Sequence, residues 1–329
     1  MRKILITGAA GFVGRHFTRR FLEAGDEVHG VDPIIHGTGG IHPTSGWPLF
    51  DPRDYPSFRF YHEDCRNWFK RVSDDDYDYC FHLAAVVGGR VQIENNPLAV
   101  ADDLSIDAEY WQWAAKVRPA KTITFSSSAA YPIRHQRREG YRLLEEPMIE
   151  IDSDIGMPDM SYGWAKLTCE YLGKLAFENY GLRSLVYRPF SGYGEDQDDT
   201  YPFPSICKRA IANRNADHLT VWGTGDQMRD FIHIDDCVDG VIQTMDKIDN
   251  GDALNLSTGI YTSFKDFART AAEILGYSPD VAGTSNKPEG VFARGGDTRK
   301  QRSLGFRYKV SFRDGIERAI RLYEREDAK

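Results

Sequence analysis

Tyr162 and Lys166 stand four residues apart in SYGWAKLTCEYL, a stretch that reads as a helix. That spacing puts a phenol and an ammonium on one helical face. A phenol with an ordinary pKa of about 10 is a poor base at neutral pH, but an adjacent ammonium favours its anion. So placed, it can take a proton from an alcohol. The same spacing occurs on any amphipathic helix, so the pair needs company before it means chemistry. FSSS supplies it: Ser126, Ser127 and Ser128 end the apolar run KTITF, a predicted strand, and ligands of open parallel sheets bind outside the carboxyl ends of their strands.

A second constellation lies at the start of the chain. Gly8, Gly11 and Gly14 form GxxGxxG between the β-branched run KILIT and the stretch GFVGRHFTRRFLEAG, a predicted helix closed by glycine. The first two glycines allow a tight turn and close approach to a pyrophosphate, and the third allows helix and strand to pack closely. The helix N-terminus offers unpaired N–H groups to the anion. Asp32 ends the second apolar run, 18 residues beyond Gly14. A carboxylate there accepts both hydroxyls of an adenosine ribose and repels a 2′-phosphate, which favours NAD over NADP. Asp64, in HEDCRN, is expected near the adenine, although an exposed turn acid explains it nearly as well.

The elements that position these residues alternate. KILIT, the glycine-loop helix and EVHGVD form a βαβ unit, and FRFYHED, YDYCFHLAA, the helix around LSIDAEYWQWAAKV, KTITFSS, the Tyr162 helix and SLVYRPF extend it. Such alternation implies an α/β fold, a doubly wound parallel sheet covered on both faces. After Phe190 the rhythm breaks. ALNLST, bounded by Gly251 and Gly259, is expected to return to the first sheet. We therefore expect a dinucleotide domain of residues 1–188 plus about 232–258, and a smaller α/β lobe of about 189–231 plus 259–329. The Gly- and Pro-rich loop from Pro33 to Pro56 reads as a lid or an insertion.

With 329 residues, 41% hydrophobic and 27% charged, the chain can bury a full core. A net charge of −8 removes any general attraction to nucleic acid or anionic lipid, so an anionic ligand must be caught by a few placed cations. No stretch approaches a membrane span, and the N-terminal apolar run is too short for a signal peptide. Five cysteines without ligand spacing read as reduced core thiols, so a cytoplasmic protein without structural metal is expected.

Taken in order, TGAAGFVG, FHLAA, SSSAAYP, YGWAK, YRPFSGYG, GTGDQMRDFIHIDD and PEGVFARGGDTRKQRSLGF resemble the extended short-chain dehydrogenase/reductases, the NAD-dependent nucleotide-sugar epimerases and dehydratases. The likeness covers essentially the whole chain. It implies a Rossmann-type first domain binding NAD, a second lobe binding a nucleoside-diphosphate sugar, and a homodimer formed through two helices per subunit. The Trp-bearing helix AEYWQWAAKV is one candidate for that interface, with buried core as its ordinary explanation.

Carried onto this sequence, the resemblance makes Tyr162 the general base. Lys166 lowers its pKa and holds the nicotinamide ribose, and Ser127 bonds the reacting oxygen. It places Gly8, Gly11, Phe12, Val13, Gly14, Asp32, Asp64, Leu83, Ala84 and Ala85 at the cofactor. Arg229 and Arg294 fall at the diphosphate, Asp297 near the nucleotide ribose, and Gly88, Arg90 and Ser128 toward the sugar. For either arginine alone a surface salt bridge is the commoner explanation, and Arg90 and Glu94 read equally well as a solvated helix start. LAAVVGG and LTVWGTGDQMRDFIHIDDCVDGV look most like members acting on GDP-sugars, the GDP-mannose 3,5-epimerases especially.

The two positions after the serine, where the family keeps its second acid or base, hold Ser128 and Ala129. A methyl group cannot carry a proton. The loop EDQDDTYPFP also lacks the partner lysine of the 3,5-epimerases, and the asparagine at the start of the preceding helix is replaced near Asp103 and Leu104. By subtraction the expected reaction is transient oxidation at one sugar carbon, C4, and return of the hydride to the opposite face. A net 4-dehydrogenase or 4-ketoreductase, a 3,5-epimerase using other acids, and a catalytically silent NAD sensor are the rivals.

Overall fold

The computed structural model describes residues 1–35, 39–73, 76–86, 90–284 and 289–327, without the side chains of 90–92 and 326–327. The chain runs β1 (Lys3–Thr7), α1 (Phe12–Glu23), β2 (Glu27–Val31), β3 (Phe58–Tyr61), α2 (Cys65–Arg71), β4 (Tyr79–His82), α3 (Arg90–Asn95), α4 (Val100–Val117), β5 (Thr122–Phe125), α5 (Met160–Tyr180) and β6 (Ser184–Pro189). It continues through α6 (Pro202–Ala212), β7 (His218–Trp222), β8 (Met228–Arg229), α7 (Ile234–Thr244), β9 (Asn250–Leu256), β10 (Thr262–Ser263), α8 (Phe264–Ile274), β11 (Asp280–Thr284), β12 (Ala293–Arg294), α9 (Arg299–Ser303) and α10 (Phe312–Asp327).

Seven strands pair in the order β3-β2-β1-β4-β5-β6-β9, all parallel. Apolar residues on both faces of each strand demand cover on both sides, and the two-residue pleat period sorts them. Ile4 and Ile6 face α1 and α7 with Phe17, Phe21, Val238 and Val241. Leu5, between them, faces α2, α4 and α5 with Trp68, Tyr110 and Ala176. The expected return of ALNLST to this sheet is found, with Val186 to Pro189 of β6 opposite Ala253 to Leu256 of β9. Trp111 and Trp113 of α4 are core residues, so the ordinary reading of that helix holds. All five cysteines are buried thiols.

The rest packs around a separate apolar cluster, with Phe203 and Cys207 of α6, Phe267 and Ala271 of α8, and Ile316 and Ile320 of α10. It carries the parallel pair β7–β11 and a small sheet ordered β10-β8-β12. In the latter Arg229 and Arg294 are register partners, so both guanidinium stems leave the same face. Among the described residues no helix is long and apolar enough to cross a membrane.

Candidate active site

The glycine loop is shaped by contacts that only glycine permits. Gly8 has φ +72°, and a Cβ there would lie 2.9 Å from the Ala84 nitrogen. At Gly14 a Cβ would stand 2.1 Å from the Gly8 carbonyl oxygen, so this residue lets α1 sit directly on the end of β1. Gly11 precedes α1, no side chain caps that helix, and no acid occupies its first turn. The positive end of the helix dipole is thus left for an external anion.

The helix start opens into a cleft of about 350 Å³ whose wall includes Gly8, Gly11, Phe12, Val13, Gly14, Asp32, Asp64, Leu83, Ala84 and Ala85. Every residue expected at the cofactor, apart from Tyr162 and Lys166, therefore lines one cavity. Asp32 accepts the N–H groups of Ala10 at 3.0 Å and Ile34 at 2.7 Å. Burial pushes its carboxyl up and these amides pull it back, with a net rise. Asp64 does two things: it caps α2 through the Arg66 N–H at 2.8 Å, and it lines the cleft. The uncapped helix, the glycine cradle and the Asp32 carboxylate together fit a dinucleotide.

At the end of β5, Ser127 accepts the Ala129 N–H at 3.1 Å, which leaves its own hydroxyl hydrogen to donate. The Tyr162 phenol is half-buried, with the Lys166 Nζ 5.6 Å from its ring centroid. Burial pushes the phenol up; Lys166 and hydrogen bonding to Ser127 pull it down, Asp103 adds to the rise, and the net shift is upward. The Lys166 ammonium favours the phenolate, and burial outweighs it. For Lys166 itself burial opposes the charge, yet Tyr162, Asp103 and Asp107 prevail and hold the ammonium above its ordinary value. Tyr201, on the cleft wall, lies within electrostatic reach of Tyr162 and ties the phenol to the cavity.

The expected substrate residues are placed less uniformly. Arg294 directs Nε to Gln136 at 2.7 Å and Nη2 to Asp159 at 2.6 Å, the residue before α5. Arg229 donates to the carbonyls of Met228 and Val291, at 2.7 and 3.0 Å. Asp297 accepts the Nε–H of Arg299, 3.0 Å from either carboxylate oxygen. Ser128 is buried, as is Ala129. Arg90 begins α3, its side chain undescribed, and Gly88 lies outside the described residues.

Sequence reasoning missed Asp103 and Asp107 as neighbours of Lys166. Their four-residue spacing on α4 was the available signal, since it sets both on one face. It also missed Arg15 and Asp196, a pair joined at 3.0 Å with both side chains 2% exposed. Here no local signal exists, because the partners are 181 residues apart.

A family model described as the NAD dependent epimerase/dehydratase family matches residues 4–257. The fold is similar to the UDP-glucuronic acid 4-epimerase of Bacillus cereus, with TM-score 0.77 and 25% identity over 98% of this chain and 99% of that one. GDP-mannose 3,5-epimerase 1 of Oryza sativa subsp. indica is 26% identical over 325 residues, 95% of this chain and 79% of the relative. The putative GDP-L-fucose synthase 2 of Arabidopsis thaliana is 30% identical over 142 residues. That match spans 41% of this chain and less than half, 43%, of the relative. With the family's model laid over β1 to β9, the glycine cradle and Tyr162 included, the chain belongs to the NAD-dependent epimerase/dehydratase family.

Proposed function

We propose that this protein is a nucleotide-sugar 4-epimerase. Residues 1–188 with about 232–258 hold NAD, and residues about 189–231 with 259–329 hold the nucleoside-diphosphate sugar. One arrangement carries the reading: a phenol flanked by a buried ammonium and a hydrogen-bonding serine, next to a cleft with a dinucleotide cradle. NAD, when bound, supplies the hydride acceptor and donor. The Gly8–Gly14 turn and the N–H groups of α1 hold its pyrophosphate, and Asp32 takes the adenosine ribose.

Tyr162 removes the proton from the C4 hydroxyl, Ser127 donates to the same oxygen, and Lys166 stabilises the phenolate. When the sugar is reduced on its other face, Tyr162 returns that proton. Arg229 and Arg294, side by side on one sheet face, suit the diphosphate. A 3,5-epimerase needs further acids at the ring, and the Ala129 position offers none. Kinship with GDP-mannose 3,5-epimerase supports a GDP-linked sugar, whereas the Bacillus cereus structure supports a UDP-linked one.

The test is incubation of the purified protein with GDP-, UDP-, CDP- and dTDP-sugars in D₂O, followed by NMR. The expected product is the 4-epimer of one of them, formed without added cofactor and without deuterium at C3 or C5. Deuterium at those carbons would replace this reading with the 3,5-epimerase, and a strict need for added NAD⁺ with net ketone formation would replace it with the dehydrogenase.

The working unit we propose is a homodimer. Trp164 and Tyr171 of α5, each 43% exposed, flank one hollow with Ile151 and Ile155, apolar surface that a second copy would cover. Light scattering after size-exclusion chromatography is expected to give twice the chain mass.

A further inference from the structure

Lys166 is buried, and the charged groups nearest to it are acids. Asp103 and Asp107 stand one turn apart on α4, 2% and 3% exposed, and both act on Lys166 across the contact with α5. Asp103 accepts the N–H of Val86, a residue of the cleft wall, at 2.5 Å. Asp107 reaches the same wall by a relay. Thr7 Oγ1 accepts the N–H groups of Leu83 and Ala84, each at 3.2 Å, which uses both its lone pairs. Its hydroxyl must then donate to His82 Nδ1, at 2.9 Å, so the imidazole hydrogen sits on Nε2 and donates to Asp107 Oδ1 at 3.1 Å.

His82 is therefore neutral, and its burial also disfavours the charged form. The other oxygen of Asp107 is buried and accepts no hydrogen bond from a described N–H or O–H group, with the Cys169 thiol beside it. The Arg66 guanidinium, forked onto Asp64, reaches α4 at Asp102 and Ser105, and its hydrogen bonds go to these groups and not to Asp103 or Asp107. One carboxylate would suffice to balance the Lys166 ammonium. The chain buries two. Burial pushes the Asp103 carboxyl up while Lys166 and the Val86 amide pull it down, with a net rise. With both carboxyls ionised, an excess negative charge lies behind the wall formed by Leu83, Ala84 and Val86.

We propose that Asp103 and Asp107 are electrostatic positioning residues that make the cleft prefer the oxidised, cationic nicotinamide dinucleotide over the neutral reduced one. This rests on reading the cleft as an NAD site. A negative potential stabilises a cationic ring and leaves a neutral ring nearly unaffected, so the two redox forms separate in affinity. The consequence is a resting protein loaded with the oxidised form and poised to restore it, as a closed epimerisation cycle requires.

The test measures dissociation constants of NAD⁺, NADH and ADP-ribose by fluorescence titration, on the full chain freed of carried dinucleotide. Wild type, Asp103→Asn and Asp107→Asn are compared. ADP-ribose lacks the nicotinamide and reports on the shape of the cleft alone. The wild type is expected to bind NAD⁺ more tightly than NADH. Each asparagine variant is expected to reduce that ratio on the order of tenfold, the scale of removing one unit charge from a partly wetted interior, with ADP-ribose affinity unchanged.

An unchanged ratio in both variants overturns the proposal while the cofactor reading stands. A ratio that falls only together with ADP-ribose affinity overturns it too, because the acids would then maintain shape and not potential. If the wild type binds none of the three molecules, the cofactor reading itself falls.

Discussion

At Tyr162 opposing influences act on one hydroxyl. Burial disfavours the phenolate, while Lys166 and the hydrogen bond to Ser127 favour it. The form that accepts a proton is the anion, so kcat/KM is expected to rise with pH as the phenol ionises in the free protein. Ser127→Ala removes one influence that favours the anion, so the same rise is expected at higher pH, with a lower plateau. A profile that keeps its position would deny Ser127 its contact with the base. Tyr162→Phe is expected to lower kcat by about 10²- to 10⁴-fold while leaving the affinity for NAD⁺ nearly intact. A variant that turns over like the wild type would deny Tyr162 the role of base. These candidates were legible in the sequence because the proposed roles need a fixed residue type at short spacing: four residues for phenol and ammonium, a strand end for the serine.

Among the elements, the junction of β1 and α1 is the most constrained. Gly14→Ala would place a methyl 2.1 Å from the Gly8 carbonyl oxygen and 2.8 Å from Ala9 Cα, backbone atoms that cannot swing aside as a flexible side chain would. The helix must lift from the strand, at a cost of about 1–3 kcal/mol from overpacking. Since the lift also moves the anion-binding N-terminus, dinucleotide affinity is expected to fall further than the melting temperature alone would suggest. Calorimetry and titration of the same variant separate the two effects. The alternation of apolar strands and helices, and the return of β9, could be read from the sequence because burial on both faces writes long apolar runs. The sheet β10-β8-β12 could not, since strands of two residues carry no period. Nor could the contact of Arg294 with Asp159, which ties β12 to the start of α5: the sequence offers an arginine suited to phosphate, and only the fold shows what it touches meanwhile.

For the molecule as a whole, the tie that matters most is between α1 and the loop after β6. Arg15 donates to the carbonyls of Ala10 and Gly39 at 2.8 and 3.0 Å, and to the Asp196 carboxylate at 3.0 Å. His16 Nε2 meets the other Asp196 oxygen at 2.8 Å. The next residues of that loop, Gln197 and Asp198, line the cleft together with Gly39, so this buried cluster joins two loops at the proposed cofactor cleft. Burial pushes the Asp196 carboxyl up, but His16 and Arg15 outweigh it and hold the group below its ordinary value. A carboxyl depressed on folding contributes stability that is present above its unfolded pKa of about 3.9 and is lost as pH falls through the lower folded value. Asp196→Asn leaves a buried guanidinium without its counter-charge, an expected loss of about 3–5 kcal/mol near neutrality. The gap in melting temperature between wild type and variant should therefore narrow as the pH is taken below about 4. Loosening the same tie should also let the dinucleotide leave faster. The paired replacement of Arg15 by Met and Asp196 by Leu removes both charges but takes from His16 its Asp196 partner, so it is expected to recover part of the stability. If it also recovers the slow dissociation of the cofactor, packing and not charge is what keeps the two loops together.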